Sequence, residues 1–238
     1  MTLDWSGCRN ARDLGGLPTA DGRHIREGAL VRSGSHDLLP ETAAAAVRGG
    51  GVARIVDLRG RSECEERPSP FAGEPLYRHV PMVAEVLDYV PPPDTYAPML
   101  DRHRHRIGAA FRAVAEAPSG AVVVHCQAGR DRTGVLVALL LSVARVAPGH
   151  VAEDYARTDG CDARTMLSTL AHLEERYAGA AAYLAGSGVD QGELEAVRRR
   201  LVGRAGDGRR RNAPDRLGTC PNLRCPPVPK TPPSTPTS

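Results

Sequence analysis

Apolar positions along this chain follow two periods. Short β-branched runs at 52–58, 76–80 and 121–124 read as buried strands. Elsewhere the spacing is helical. Residues 41–48 are Ala-rich and stopped by Gly49-Gly50-Gly51, and 101–117 place Ile107, Ala110, Phe111 and Val114 on one face. Further helices are predicted over 135–146, 150–156, 162–177 (Met166, Leu170, Leu173, Tyr177) and 191–201. Residues 5–33 read as short extended pieces turning at Gly15-Gly16 and Asp21-Gly22. Strands alternating with helices predict an α/β fold with a central, mostly parallel sheet flanked by helices. Residues 82–100 fit neither period. They hold Val83, Val86, Leu87, Tyr89, Val90, Tyr96 and Met99 around Pro91-Pro92-Pro93, the pattern of a lid or substrate-binding insertion. A surface segment packed on the core reads equally well.

One junction between a strand and a helix carries chemistry. His125-Cys126-Gln127-Ala128-Gly129-Arg130-Asp131-Arg132-Thr133-Gly134 follows the strand 121–124 and opens an apolar helix. A tight loop before a helix N-terminus aims backbone N–H groups at one point and favours an anion there. Cys126 stands at its mouth, and Arg132, after five intervening residues, closes it. Loop amides, helix dipole and guanidinium all favour a thiolate, the nucleophilic form of cysteine. Gln127, Ala128, Gly129, Arg130, Asp131 and Arg132 form the phosphate-binding set. The planar fork of Arg132 suits two phosphate oxygens better than a lysine point charge, and Gly129 suits a sharply turning backbone close to a ligand. Thr133 is placed to donate its hydroxyl to the sulfur when the thiolate leaves. His125 organises the loop rather than acting as a base, because a thiolate already formed needs none.

These residues resemble the signature of the cysteine-dependent protein tyrosine phosphatase superfamily, His-Cys-x5-Arg-Ser/Thr. More narrowly they resemble its bacterial group with the loop His-Cys-x-x-Gly-Lys-Asp-Arg-Thr-Gly, alongside atypical dual-specificity and phosphoinositide phosphatases. Further segments match in order: Asn10-Ala11-Arg12-Asp13-Leu14-Gly15-Gly16-Leu17, Asp21-Gly22-Arg23, Leu30-Val31-Arg32-Ser33-Gly34, Ile55-Val56-Asp57-Leu58-Arg59 with Glu63, and Asp154-Tyr155 with Thr158. The resemblance spans about residues 5–202. It implies the cysteine-phosphatase fold, helices covering the active site near 82–100, and Asp131 as the acid that protonates the leaving oxygen and then activates water. Asp57 and Asp101 are the competing candidates, and a purely structural role for Asp131 stays open beside them. Arg130 replaces the group's lysine. Lys230 is the chain's single lysine beside 30 arginines, so this exchange reads as compositional bias, with a cation kept at the loop rim.

Composition fits a soluble enzyme of one large domain. The 238 residues are 41% hydrophobic but only 4% aromatic, so the core rests on Val, Leu and Ala. No apolar stretch reaches the ~18 residues of a membrane span, and the N-terminal residues lack the basic and apolar regions of a signal peptide. Six scattered cysteines show no metal pairing; Cys8, Cys64 and Cys161 read as ordinary, and Cys220 and Cys225 lie in a tail. His103 and His105 would point to different sides of a helix, so no metal is expected. A reducing cytoplasm suits a catalytic thiolate, with signal-less secretion the alternative. Net charge is +3, of which residues 204–238 contribute +5 and the body −2. That tail is basic and Pro-rich and is expected to be disordered. Its Arg209-Arg210-Arg211 reads as solvated rather than as a specific nucleic-acid site.

The expectation is a catalytic domain over 1–203 that hydrolyses phosphomonoesters of tyrosine, or also of serine, threonine or phosphoinositides. It would do so through a cysteinyl phosphate, without cofactor. Substrate class aside, the sequence names no partner and no oligomeric state. A catalytically silent phosphate- or phosphoprotein-binding module is the alternative of another class. Arsenate reduction or sulfur transfer also use cysteine loops, but neither Cys64 nor Cys161 is evidently placed as a resolving thiol.

Overall fold

The computed structural model describes residues 7–203; the predicted tail from Arg204 onward lies outside them. The chain begins with β1 (Arg12–Asp13) and β2 (Leu30–Ser33), followed by α1 (Glu41–Gly49), β3 (Val52–Asp57), α2 (Arg61–Glu66) and β4 (Tyr77–His79). Then come α3 (Ala97–Arg102), α4 (Arg104–Ala115), β5 (Ala121–His125), α5 (Asp131–Val143) and α6 (Pro148–Ala156). The last elements are α7 (Ala163–Tyr177), α8 (Ala180–Ala185) and α9 (Gln191–Leu201).

Five strands form one sheet in the order β1-β2-β5-β3-β4. All neighbours are parallel except β1 and β2, so the predicted α/β architecture holds. Strand β5 lies at the centre, with Val123 level with Val31 on one neighbour and Ile55 on the other. Its alternating side chains separate two apolar layers. Val122 and Val124 enter the larger layer with Phe111, Leu136, Leu140 and Tyr183, while Val123 joins Val31, Ile55, Val47 and Phe71 on the other face. All three valines are fully buried. Each contributes about 1.5–3 kcal/mol, which fixes the strand that delivers Cys126.

Several predicted boundaries move. The expected helix over 101–117 is two helices, broken at His103, whose backbone (φ −114°, ψ 23°) leaves the helical region. Residues 97–100 of the supposed irregular stretch belong to α3, which has a proline in its first turn, where the missing N–H costs nothing. The helix after the loop begins at Asp131 rather than Val135. The six-residue helices α2 and α8 are too short to show a period. The stretch before α3 is tied down at its ends. Met82 is fully buried at one end, as is Leu100 in α3, with Met99 buried beside it, while Val86 and Val90 stand in solvent between them. Among the described residues no helix is long and apolar enough to cross a membrane.

Candidate active site

Cys126 leaves the carboxyl end of β5, where open α/β sheets bind ligands. It is 2% exposed. The loop that follows is braced from outside, one carbonyl after another. Ser35 N donates to Gln127 O at 3.0 Å, Asn10 Nδ2 to Ala128 O at 2.9 Å, and Arg32 Nη2 to Gly129 O at 2.8 Å. In a planar trans peptide the N–H points opposite to the C=O. Fixing these three carbonyls therefore turns the amides of Ala128, Gly129 and Arg130 away from the braces, as an anion cradle requires. Gly129 is needed twice over. Its φ is +69°, and a Cβ there would lie 2.6 Å from the Ser33 carbonyl and 2.7 Å from Gly34 N.

Below the loop sits a buried ion cluster. Arg32 is fully buried and donates to Asp154 Oδ2 at 2.8 Å. Arg12 Nε donates to Asp154 Oδ1 at 2.7 Å, and its Nη2 reaches Thr158 Oγ1 at 3.0 Å. Burial pushes the Asp154 carboxyl up, but its two arginines outweigh that and hold it below the ordinary range. Asn10 accepts from Asp159 N at 3.2 Å while it braces the loop. Segments of the chain more than a hundred residues apart thus converge beneath Gly129.

Arg132, the second residue of α5, extends its fork to Glu63. Nη2 meets Oε1 at 2.8 Å, and Nη1 pairs with Oε2. Glu63 Oε2 also accepts from Gly60 N at 2.7 Å at the start of α2. Burial alone would lower the pKa of Arg132; Glu63 and the nearby Cys126 sulfur outweigh it and push it up, so the fork stays charged. A guanidinium has five N–H donors, more than the two that Glu63 takes.

Asp131 opens α5. Its Oδ1 accepts from the Tyr96 hydroxyl and, at 3.1 Å, from Arg130 Nε. The Tyr96 hydroxyl lies 2.6 Å from that of Tyr155. Arg130 stands at the rim, with 46% of its side chain exposed. Thr133 is fully buried, and among the described residues its hydroxyl has no hydrogen-bond partner. His125 is buried too, with Nδ1 3.3 Å from Cys126 O and Nε2 3.5 Å from Asp57 Oδ2, outside hydrogen-bonding geometry. Burial keeps His125 neutral by lowering its pKa.

The two competing acids are engaged elsewhere. Asp57 is fully buried against Arg59, with Nη2 to Oδ2 at 2.7 Å, and accepts from Tyr77 at 2.8 Å. Burial raises its carboxyl, but the neighbouring His125 and the Arg59 guanidinium together outweigh this and lower it. Asp101 accepts from His172 and Tyr177 on α7. Sequence reasoning assigned no role to Arg32, Glu63, Asp154, Tyr96 or Tyr155. All but Tyr96 sit in the segments that carried the family resemblance. Tyr96 carried no signal beyond lying in an apolar stretch.

Comparison with known proteins agrees with this geometry. A model of the tyrosine phosphatase family matches residues 3–161. The chain is 28% identical over 180 residues to the "Putative tyrosine-protein phosphatase" of Cupriavidus necator, covering 69% of this chain and 65% of that protein. It is 26% identical over 233 aligned residues to the tyrosine-protein phosphatase of Nostoc commune, covering 79% of each. The family model spans more than half of the sequence, and the chain belongs to the tyrosine phosphatase family.

Proposed function

We propose that the protein hydrolyses phosphotyrosine esters through a cysteinyl-phosphate intermediate, within a catalytic domain spanning residues 1–203. The observation that carries this reading is the loop after Cys126, whose carbonyls are tied outward while Arg132 enters from the first turn of α5. The Cys126 thiolate attacks phosphorus and the P–O ester bond breaks. Loop amides and Arg132 hold the equatorial oxygens as charge develops. Asp131 gives its proton to the leaving oxygen. Water then attacks phosphorus and passes a proton to Asp131. The P–S bond breaks as the Thr133 hydroxyl donates to the departing sulfur, and inorganic phosphate leaves. The cradle and Arg132 supply the positive field, so no cofactor enters the scheme.

The match to the tyrosine phosphatase family and the names of the two relatives support phosphotyrosine as the ester. Arg130 at the rim offers a second cation, so phosphoinositides belong in the same assay. That assay measures steady-state hydrolysis of phosphotyrosine peptide, phosphoserine peptide and phosphoinositide under reducing conditions. Wild type is expected to turn over phosphotyrosine peptide, and Cys126→Ser to lose turnover completely. Vanadate binding without turnover of any substrate would replace this reading with a phosphate-binding module.

A further inference from the structure

Asp131 at the loop is held by Tyr96, which in turn meets Tyr155. Tyr96 comes from the residue that caps α3, after the exposed Val86–Val90 stretch, and its backbone N donates to Thr169 Oγ1 of α7 at 2.9 Å. Tyr155 comes from α6 and is 3% exposed. Their rings meet edge to face with centroids 6.1 Å apart and their hydroxyls 2.6 Å apart. From there the Tyr96 hydroxyl reaches Asp131 Oδ1.

We infer that Tyr96, backed by Tyr155, is a positioning residue that presents the Asp131 carboxyl to the leaving oxygen. The inference rests on Asp131 being the acid. One hydrogen per hydroxyl sets the direction of the chain. An ionised carboxylate only accepts, so the Tyr96 hydrogen goes to Asp131 and the Tyr155 hydrogen goes to the Tyr96 oxygen. Tyr96 and, at 3.1 Å, Arg130 Nε thus fill Oδ1, while Oδ2, met only by the longer 3.3 Å branch from Arg130 Nε, is the oxygen that carries the transferable proton. After the proton has gone, the bond to Oδ1 becomes charge-assisted and strengthens, so the array favours the donation itself. Burial, with the Asp131 hydrogen bond after it, pushes Tyr96 above the ordinary phenol range, and burial does the same for Tyr155, so both remain neutral donors. Gly134 explains how Tyr155 comes so near the helix. A Cβ there would stand 2.8 Å from Tyr155 Cε2. The glycine that ends the loop motif is therefore the floor on which the second tyrosine lies. The acid is assembled from three separate pieces of chain, one of which is the segment ahead of α3.

A general acid matters in proportion to how poorly the leaving group departs unaided. The test compares phosphotyrosine peptide with an aryl phosphate carrying strongly electron-withdrawing groups, for wild type, Tyr96→Phe, Tyr155→Phe and Asp131→Asn. Tyr96→Phe keeps the ring, and thermal unfolding checks that each variant folds. General-acid catalysis contributes 10²–10⁴-fold, and misplacing the acid forfeits part of it. Tyr96→Phe is expected to lower kcat on phosphotyrosine peptide about 10–30-fold, with a loss within about twofold on the activated ester and KM little changed. Tyr155→Phe should give a smaller loss of the same selectivity. Equal losses on both esters, or no loss, in Tyr96→Phe while Asp131→Asn is selective would overturn the inference and leave Asp131 as the acid. Asp131→Asn without selectivity would remove the acid assignment and the inference with it.

Discussion

Asp154 reaches the loop after Cys126 through an arginine rather than directly. It neutralises two arginines, and one of these, Arg32, holds Gly129 O. Removing one partner of a buried pair strands the other charge, at about 3–5 kcal/mol. Asp154→Ala is therefore expected to lower unfolding free energy by that amount in urea titration. In the surviving folded fraction, turnover should fall as well, because Gly129 loses its brace. None of this was legible beforehand. The segment containing Asp154 was recognisable, but its partner lies 122 positions away in sequence, and periodicity reports only local neighbours. That Cys126 and Arg132 share one loop was legible because only five residues separate them. Asp131 came only through resemblance, since the hydroxyl beside it belongs to residue 96.

Among the elements, α5 is the one that joins core to chemistry. Its apolar residues from Val135 to Val143 fill the layer below, and its first turn holds Asp131 and Arg132. Gly134 connects the two functions, since any larger residue there meets Tyr155. Gly134→Ala is expected to destabilise the fold by about 1–3 kcal/mol through overpacking, read as a lower thermal midpoint. The strands and long helices followed from their periods. The break at His103 did not, because the residues on both sides are compatible with helix and nothing in the pattern marks it.

Across the molecule, strand order is what places the site at the centre. Alternating strands and helices predicted a parallel sheet, but not that β5 inserts between β2 and β3, because that depends on contacts between distant segments. One result is that His125 lies beside His36 within the fold, ring centroids 4.1 Å apart, both fully buried. Burial lowers both imidazoles below their ordinary value. The unfolded chain takes up these protons below about pH 6.5, and the folded chain takes them up only at lower pH. Stability from this pair is thus complete above that value and lost as pH falls through the interval below it. Urea midpoints are expected to drop between pH 7.5 and 5.5; a flat profile would mean the histidines titrate normally in the fold.

The loop's braces come from residues 10, 32 and 35, and its underpinning from residue 154. Contacts of such long sequence separation close late in folding, after loop-closure entropy has been met. Catalytic competence therefore has no local precursor. A nascent chain that has just emitted the helix after Cys126 still lacks α6, and with it the anchor for Arg32. During refolding, activity should return in step with the slowest global phase rather than with the formation of β5 and α5. The loop after Cys126 is braced only once residues 10–35 and residue 154 have met.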